Sequence, residues 1–574
     1  MRLSAQLWLP SVRPAPVLVE LAGLEDVRDA ALHPAMAKDG YAVVRLAQRG
    51  LGNSEGVYSG GFDRQDETDA LQALNFIAEQ KWCDGKLGLF GFASGGTAAL
   101  QVARRQPVGL GALMAVEATD DPYVDGAAYQ GGVVTSELLM AAAKQLAKSA
   151  LPSLTKKNWP ARLKTQKFMA AQALQHPARD DEWKAIAAGE DIGLITAPTL
   201  LVADWAKAAA VPRMMMGLRA PCKAVIGPWD TAIDFSVEML RWFDQHLRGK
   251  ATGIMQEQTF RYFMRDAGHE SGRWLGDMMW GAGAFAEQRL YLTGAGLADG
   301  RGENKELTFT SPLTCGFGAA SGLADGAARD DSASLTFDSP ALAADLDVVG
   351  APSVALDVST DAEVAQIFAR LSAVGPAGEI ALLSQHMLNL TQRVSRGQPS
   401  LLEAGRRYTV TIILADMAAR VPKGHKLRVA ISTSNFPLAW PAASKLALTV
   451  HTGNSSLALP IRKERGMEKL ITFAPITKAP VVAAAKRLFT VDPVSSEAKL
   501  AHGGNVFSVK PDDPLSAKQS VEVIQVDGTI KTVVQAKLSA TAKHWVLSAK
   551  LDAFDGKKKV LTKSFDEKIL RKLV

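Results

Sequence analysis

Gly91-Phe92-Ala93-Ser94-Gly95 is the stretch whose spacing points most directly to chemistry. A short buried strand, Leu87 to Phe90, runs through it into a helix that begins near Thr97. A strand that turns into a helix through Gly-x-x-x-Gly has the form of a nucleophile elbow. The apex of such a corner holds a strained backbone, and side chains two positions away on either side would collide, hence the glycines. The chemistry calls for a serine at the apex. Here the apex is Ala93, whose methyl group cannot attack a carbonyl. Ser94 is the nearest hydroxyl, but it sits one residue past the apex and should point away from a base. Its expected role is to start the following helix and offer its backbone N–H. Use of Ser94 as a nucleophile would need an activating partner within about 3 Å.

Other chemistries find little support. His386 and His425 have no His or Cys partner at metal-ligand spacing, so core or surface roles are expected. Cys83, Cys222 and Cys315 are sparse and odd in number, which gives no disulfide framework and fits a reducing cytoplasm. No phosphate loop, zinc spacing or repeat array occurs, and no cofactor is expected. A net charge of +6 over 574 residues is too weak a bias to imply nucleic-acid binding. No apolar run approaches the roughly 20 residues that span a bilayer. The first ten residues read as a strand, without a signal-peptide core.

The elements that must position the corner follow an α/β pattern. Pro16–Glu20, Gly40–Leu46, the corner strand, Leu110–Val116, Pro198–Ala203 and Cys222–Gly227 are buried-strand runs. They alternate with helical stretches at Asp29–Lys38 and Asp66–Glu79, and Ser236–Arg248 closes the set. This implies a parallel sheet covered on both faces. An α/β unit over residues 1–121 and 191–256 is thereby interrupted by a helical insertion, residues 122–190, placed as a cap. Helices are expected there over Ser136–Ser149 and Arg162–Leu174. Residues 257–574 read as all-β, with hairpin turns at Asp527-Gly528 and Asp555-Gly556.

These residues resemble a known family. Trp82-Cys83-Asp84-Gly85-Lys86-Leu87-Gly88, Gly227-Pro228-Trp229, Arg241-Trp242-Phe243-Asp244, Leu388-Asn389-Leu390-Thr391-Gln392-Arg393 and Ser432-Thr433-Ser434-Asn435-Phe436-Pro437 look like the CocE/NonD hydrolases, relatives of the Xaa-Pro dipeptidyl peptidases. The resemblance spans nearly the whole chain. It implies an α/β-hydrolase domain with a helical cap, then a jelly-roll (galactose-binding-like) domain, and it implies a first hairpin that this sequence lacks. The family's chemistry is acyl transfer to a serine aided by His and Asp, with a tyrosine hydroxyl and a backbone N–H as oxyanion hole. By that resemblance the serine position is Ala93, the acid position Lys207, the base position Thr231 and the oxyanion tyrosine position Leu24. Only the Ser94 N–H would survive. From Pro177 to Gln245 there is no histidine; His246 falls in the closing helix and His176 in the cap. A lysine in the acid's place would repel a developing imidazolium. Asp204 or Asp230 is the expected partner for Lys207 in a structural ion pair.

The sequence thus points to a hydrolase fold whose own acyl chemistry has gone, acting through an unknown protein partner or a small acyl- or peptide-like ligand, with homo-oligomerisation open. Trp205, Trp229 and Asp230 are the expected ligand contacts. The alternative is a serine-type ester or amide hydrolase, or an Xaa-Pro dipeptidyl-peptidase-like enzyme, working through a non-standard site at Ser94.

Overall fold

The computed structural model describes residues 1–23, 31–58, 64–152, 156, 159–229, 233–269, 271–281, 285–321, 326–462, 469–474, 487–492 and 497–573. The chain opens with β1 (Ala5–Trp8), β2 (Ala15–Ala22), α1 (Leu32–Lys38), β3 (Ala42–Ala47), α2 (Arg64–Ala78), β4 (Cys83–Phe92), α3 (Ser94–Ala103) and β5 (Leu110–Val116). The cap follows as α4 (Pro122–Asp125), the hairpin β6 (Tyr129–Gln130) and β7 (Val133–Val134), α5 (Glu137–Ser149), α6 (Trp159–Thr165), α7 (Met169–Gln175) and α8 (Asp181–Ala185). The sheet resumes with β8 (Thr199–Ala203), α9 (Ala210–Gly217) and β9 (Cys222–Ile226), and the closing helix is Phe235–Leu247.

The strands lie side by side in the order β1, β3, β2, β4, β5, β8, β9, parallel throughout except for β1 on β3. Both faces are covered, which explains the unbroken apolar runs. Leu89, Leu113 and Leu201 pack toward α2, α3 and α9. Leu18, Phe90, Met114 and Leu200 pack toward α1 and the closing helix.

The single helix expected over Arg162–Leu174 is two, α6 and α7. Gln166 lies in the break. It is buried, its Oε1 accepts the Ser149 hydroxyl at 2.7 Å, and its amide donates to the Ser149 carbonyl at 3.2 Å. A buried amide must be paired, and here its partners lie on α5. The first helix begins at Leu32, and residues 29 and 30 of the expected span lie outside the described residues.

β10 (Phe260–Asp266) runs parallel to β9 and joins the hydrolase sheet to the all-β part. There, a four-stranded sheet of Leu335–Asp338, Lys426–Ser432, Gln366–Val374 and Ile380–Asn389 faces strands that include Ser353–Thr360, Tyr408–Ile413 and Leu448–Ile461. Val354, Leu356, Val358, Leu371, Val429 and Leu457 fill the space between.

Strands between Arg487 and Leu570 build a separate seven-stranded antiparallel sheet. Its two-residue turns are Gly528-Thr529 and Gly556-Lys557, with the glycines at φ +57° and +58°, as primed hairpin turns require. Its apolar face lies on the cap. Leu139, Ala143 and Leu146 of α5 share a core with Val534, Ala536, Leu547 and Ala549, and the Thr532 hydroxyl donates to the Ala147 carbonyl at 2.8 Å. The chain end then reaches the all-β part, where the Leu573 carbonyl accepts from Asn389 Nδ2 at 2.7 Å and Thr391 Oγ1 at 3.0 Å. Among the described residues, no helix is long and apolar enough to cross a membrane.

Candidate functional site

The strand–helix corner has the shape its spacing predicts. Ala93 takes φ +47°, ψ −113°, and its N–H donates to the Val116 carbonyl at 2.8 Å. The flanking glycines are fixed by space. A Cβ on Gly91 would stand 2.3 Å from the Gly95 carbonyl, and one on Gly95 would stand 2.2 Å from the Leu21 carbonyl oxygen. Such contacts are backbone on backbone and cannot relax by a rotamer change. A non-glycine residue at this φ costs on the order of 1–3 kcal/mol, borne by the packing around it.

Beside the apex the site is filled and tied down. Phe92 stacks on Trp229 with ring centroids 6.3 Å apart, and Trp229 meets Phe235 at 4.8 Å. Trp229 is buried, and its indole N–H donates to Glu117 Oε1 at 2.6 Å. Glu117 follows β5 at φ +54° and also accepts the Asp204 N–H at 3.0 Å. One carboxylate thus links the ends of β5, β8 and β9. Asp204 uses its own side chain locally, accepting the N–H groups of Ala206 at 2.8 Å and Lys207 at 3.2 Å.

Lys207 makes no ion pair among the described residues. Its amine donates to the Asp125 carbonyl at 3.3 Å. The expected pairing with Asp204 is therefore corrected: the Asp204 carboxylate is engaged by the backbone of its own turn. The cation that meets the carboxylates is Arg213, on α9. It binds Asp125 and bridges to Asp120, with Nε 3.0 Å from Asp120 Oδ1. Thr119 joins the group, donating to Asp125 at 2.8 Å and accepting the Asp121 N–H at 2.9 Å.

Trp205 is half-buried, with the Arg265 guanidinium over its ring at 5.5 Å. Leu24, Asp230 and Thr231 lie outside the described residues. His246 is in the closing helix against Trp242, centroids 4.3 Å apart, and His176 pairs in the cap with Asp180 at 2.6 Å. Neither touches a hydroxyl or thiol among the described residues.

Two further titratable groups belong to this neighbourhood: His386, expected from the sequence only in a core or surface role, and Asp416, which had no signal there. Burial pushes His386 down to about 4, with Asp125 near enough to oppose that shift. Burial pushes Asp416 up to about 6, partly offset by the Trp280 N–H that donates to it at 2.6 Å and by the charge of Arg213. At ordinary pH the imidazole is therefore neutral and weakly basic, whereas the carboxyl stands close to its own pKa. Burial raises the thiols of Cys83, Cys222 and Cys315, which keeps them un-ionised. No described group of three or more His, Cys, Asp or Glu side chains is placed to hold a metal ion.

Comparison with known proteins places this architecture. The family model of X-Pro dipeptidyl-peptidase (S15 family) matches residues 1–230, and that of the X-Pro dipeptidyl-peptidase C-terminal non-catalytic domain matches residues 252–475. The cocaine esterase of Rhodococcus sp. (strain MB1 Bresler) is 26% identical over 476 residues, covering 70% of this chain and 81% of that protein. A CocE/NonD family hydrolase from Staphylococcus aureus superposes with a TM-score of 0.64 at 18% identity, covering 80% of this chain and 91% of that one. An aminopeptidase from a marine sediment Thaumarchaeota archaeon gives 0.64 at 15% identity, covering 80% and 94%. The α/β sheet with its inserted cap, the all-β part behind it and these matches agree: the chain is a CocE/NonD-like protein, of a family of hydrolases.

Proposed function

We propose that this chain is a pseudohydrolase: a CocE/NonD-like fold that no longer hydrolyses through its elbow and acts by holding a small acyl- or peptide-like ligand or a protein partner. The observation that carries the reading is the corner itself, a strained backbone wrapped around a methyl group. Loss of the serine alone costs about a million-fold in a serine protease, and further triad losses add little. Replacement of the acid by Lys207, the base by Thr231 and the oxyanion tyrosine by Leu24 fits a site under no pressure to react. The Lys207 amine is given to a backbone carbonyl. The ligand would lie between cap and sheet top against Trp205 and Asp230, with Trp229 as supporting wall. The all-β part would be the family's jelly roll, and the unpaired cysteines suit the cytoplasm.

The test is turnover of short-chain aryl esters and Xaa-Pro amides. We expect none through the elbow, and none restored by Ala93→Ser alone, because by the family resemblance Thr231 stands in the base position and Lys207 in the acid position. Hydrolysis abolished by Ser94→Ala would overturn the proposal in favour of the Ser94 enzyme.

A further inference from the structure

Among the described residues, His451 is the histidine with a serine hydroxyl within hydrogen-bond reach. It lies in the all-β part, on Leu448–Ile461, directly across from Glu306 on one neighbouring strand and Asp357 on the other. Residues paired across an antiparallel ladder share a face, and so do positions two apart on one strand. Glu306, His451, Asp357 and Ser359 therefore stand together. His451 Nε2 is 3.2 Å from Ser359 Oγ, and Nδ1 is 3.4 Å from Glu306 Oε1, an ion-pair distance at which no hydrogen bond is made. The imidazole is buried, Ser359 is half-buried and Glu306 reaches solvent.

The backbone is shaped around this group. Register jumps from Ala355–Ser456 to Asp357–His451, so residues 452–455 bulge from the ladder, a device that re-aims side chains. Ser455 pins the bulge: its hydroxyl donates to the His451 carbonyl at 2.7 Å and accepts the Asp357 N–H at 3.0 Å. Arg407 binds the Asp357 carboxylate, which leaves Glu306 as the carboxylate for the imidazole. Thr449 lies across from Ser359, with its hydroxyl 2.7 Å from that of Thr308.

We propose that Ser359 and His451 form a second, slow acyl-accepting site, with Glu306 as the positioning residue and small activated esters as substrates. The contacts fall on the ring nitrogens this chemistry needs, hydroxyl on Nε2 and carboxylate on Nδ1. Ser359 Oγ forms the new bond to the acyl carbon while its proton passes to Nε2. Glu306 stabilises the imidazolium through Nδ1–H. The adduct then expels the alcohol or phenol, which takes the proton back from Nε2 and leaves an ester on Ser359. Water attacks that ester by the same proton route, and acid and Ser359 are released. The donors for the oxyanion are side chains, the Thr449–Thr308 hydroxyl pair and the Arg407 guanidinium, with no helix N-terminus. A single missing oxyanion donor costs about 10²–10³ in rate, so acylation should outpace deacylation only for good leaving groups. This site is separate from the elbow and does not rest on the reading given for it.

The full-length protein is treated with a fluorophosphonate probe, which forms a Ser Oγ–P bond and releases fluoride and the serine proton. Labelled peptides are located by mass spectrometry. Label is expected at Ser359, absent in Ser359→Ala and slowed about a hundredfold in His451→Gln. Glu306→Gln should slow labelling several-fold with the unfolding midpoint of the parent, and Glu306→Asp should restore part of that rate. A merely structural Glu306 would leave the labelling rate of the folded Gln variant unchanged. Absence of label at Ser359, or an unchanged rate in His451→Gln with unfolding midpoints matching the parent, overturns the proposal. Label at Ser94 and none at Ser359 overturns this proposal and the pseudohydrolase reading together; label at Ser359 alone sustains both.

Discussion

At Ala93 the backbone keeps a shape that only chemistry needs, and the side chain is a methyl group. Around Ser359 the side chains pair as hydroxyl, imidazole and carboxylate, and the backbone is a bulged strand with no helix behind it. The difference shows what each kind of site depends on. The corner is held by close packing of Gly91, Gly95 and Leu21, which does not depend on the apex residue. It can outlast its nucleophile indefinitely. The strand-face group depends on register, since a one-residue slip would send every member to the opposite face.

The sharpest way to test this contrast is to disturb each site by one small change. Gly95→Ala places a Cβ 2.2 Å from the Leu21 carbonyl oxygen. It should cost about 3 kcal/mol, read as a fall in the denaturant midpoint of the α/β part. Ser359→Ala on the strand face should change stability by about 0.5 kcal/mol or less while removing the probe label. Equal losses at both positions would end the distinction between a packed corner and a register-set group.

A comparable effect is expected from His386 and Asp416, and here the sign depends on pH. Asp416, raised from 3.8 to about 6, adds stability below its ordinary range that is lost as pH rises through 6. His386, lowered from 6.5 to about 4, destabilises the fold at acid pH, and that cost fades as pH rises from 4 to 6.5. Each displacement is worth roughly 3 kcal/mol, and the two slopes oppose each other across nearly the same window. Relative to the parent, His386→Gln should gain stability near pH 4 and lose that gain by pH 6.5. Asp416→Asn should gain it above pH 6 and lose it toward pH 4. Urea midpoints measured at both pH values check this, and a pH-independent difference for either variant would refute the assignment.

Much of the fold could be read from the chain because period and spacing are local. The apolar runs of β2, β4 and β5, the glycines two positions from Ala93 and the glycines after Asp527 and Asp555 each state their own conformation. What could not be read is where surfaces meet. Alternation in Ile530–Ala540 marks an apolar face, but nothing in it says that the face lies on α5. The split between α6 and α7 is set by a Gln166–Ser149 bond to another helix. At the site, the Glu117–Trp229 bond spans 112 residues and the Arg213–Asp120 bond 93, which no motif encodes. Charge and nearness along the chain pair Lys207 with a carboxylate, Asp204 or Asp230. The turn geometry that occupies the Asp204 oxygen and the carbonyl that takes the amine instead are products of the folded loop.

A smaller effect should follow at the Glu117 carboxylate beside the corner. Glu117→Ala leaves the buried Trp229 indole N–H and the Asp204 N–H without their acceptor. The expected loss is about 1–3 kcal/mol, read from the denaturant midpoint. A neutral outcome would mean that water takes over the role and that the filled space beside Ala93 is more open than its packing implies.

The smallest effect is the most informative about history. Ala93→Gly removes a methyl group from a residue at φ +47°, ψ −113°. Glycine relieves backbone strain there, worth on the order of 1–3 kcal/mol. Against this stands the extra freedom glycine gives the unfolded chain, roughly 0.4–1 kcal/mol. The net expectation is a gain of about 1 kcal/mol, visible as a raised denaturant midpoint. In a working hydrolase this change could never be accepted, because the apex side chain is the nucleophile. If the variant is instead less stable, the Ala93 methyl makes contacts that matter, and the apex has been rebuilt as part of a packed or ligand-touching surface. The sign of this one measurement separates a corner that is merely inherited from one that has been put to new use.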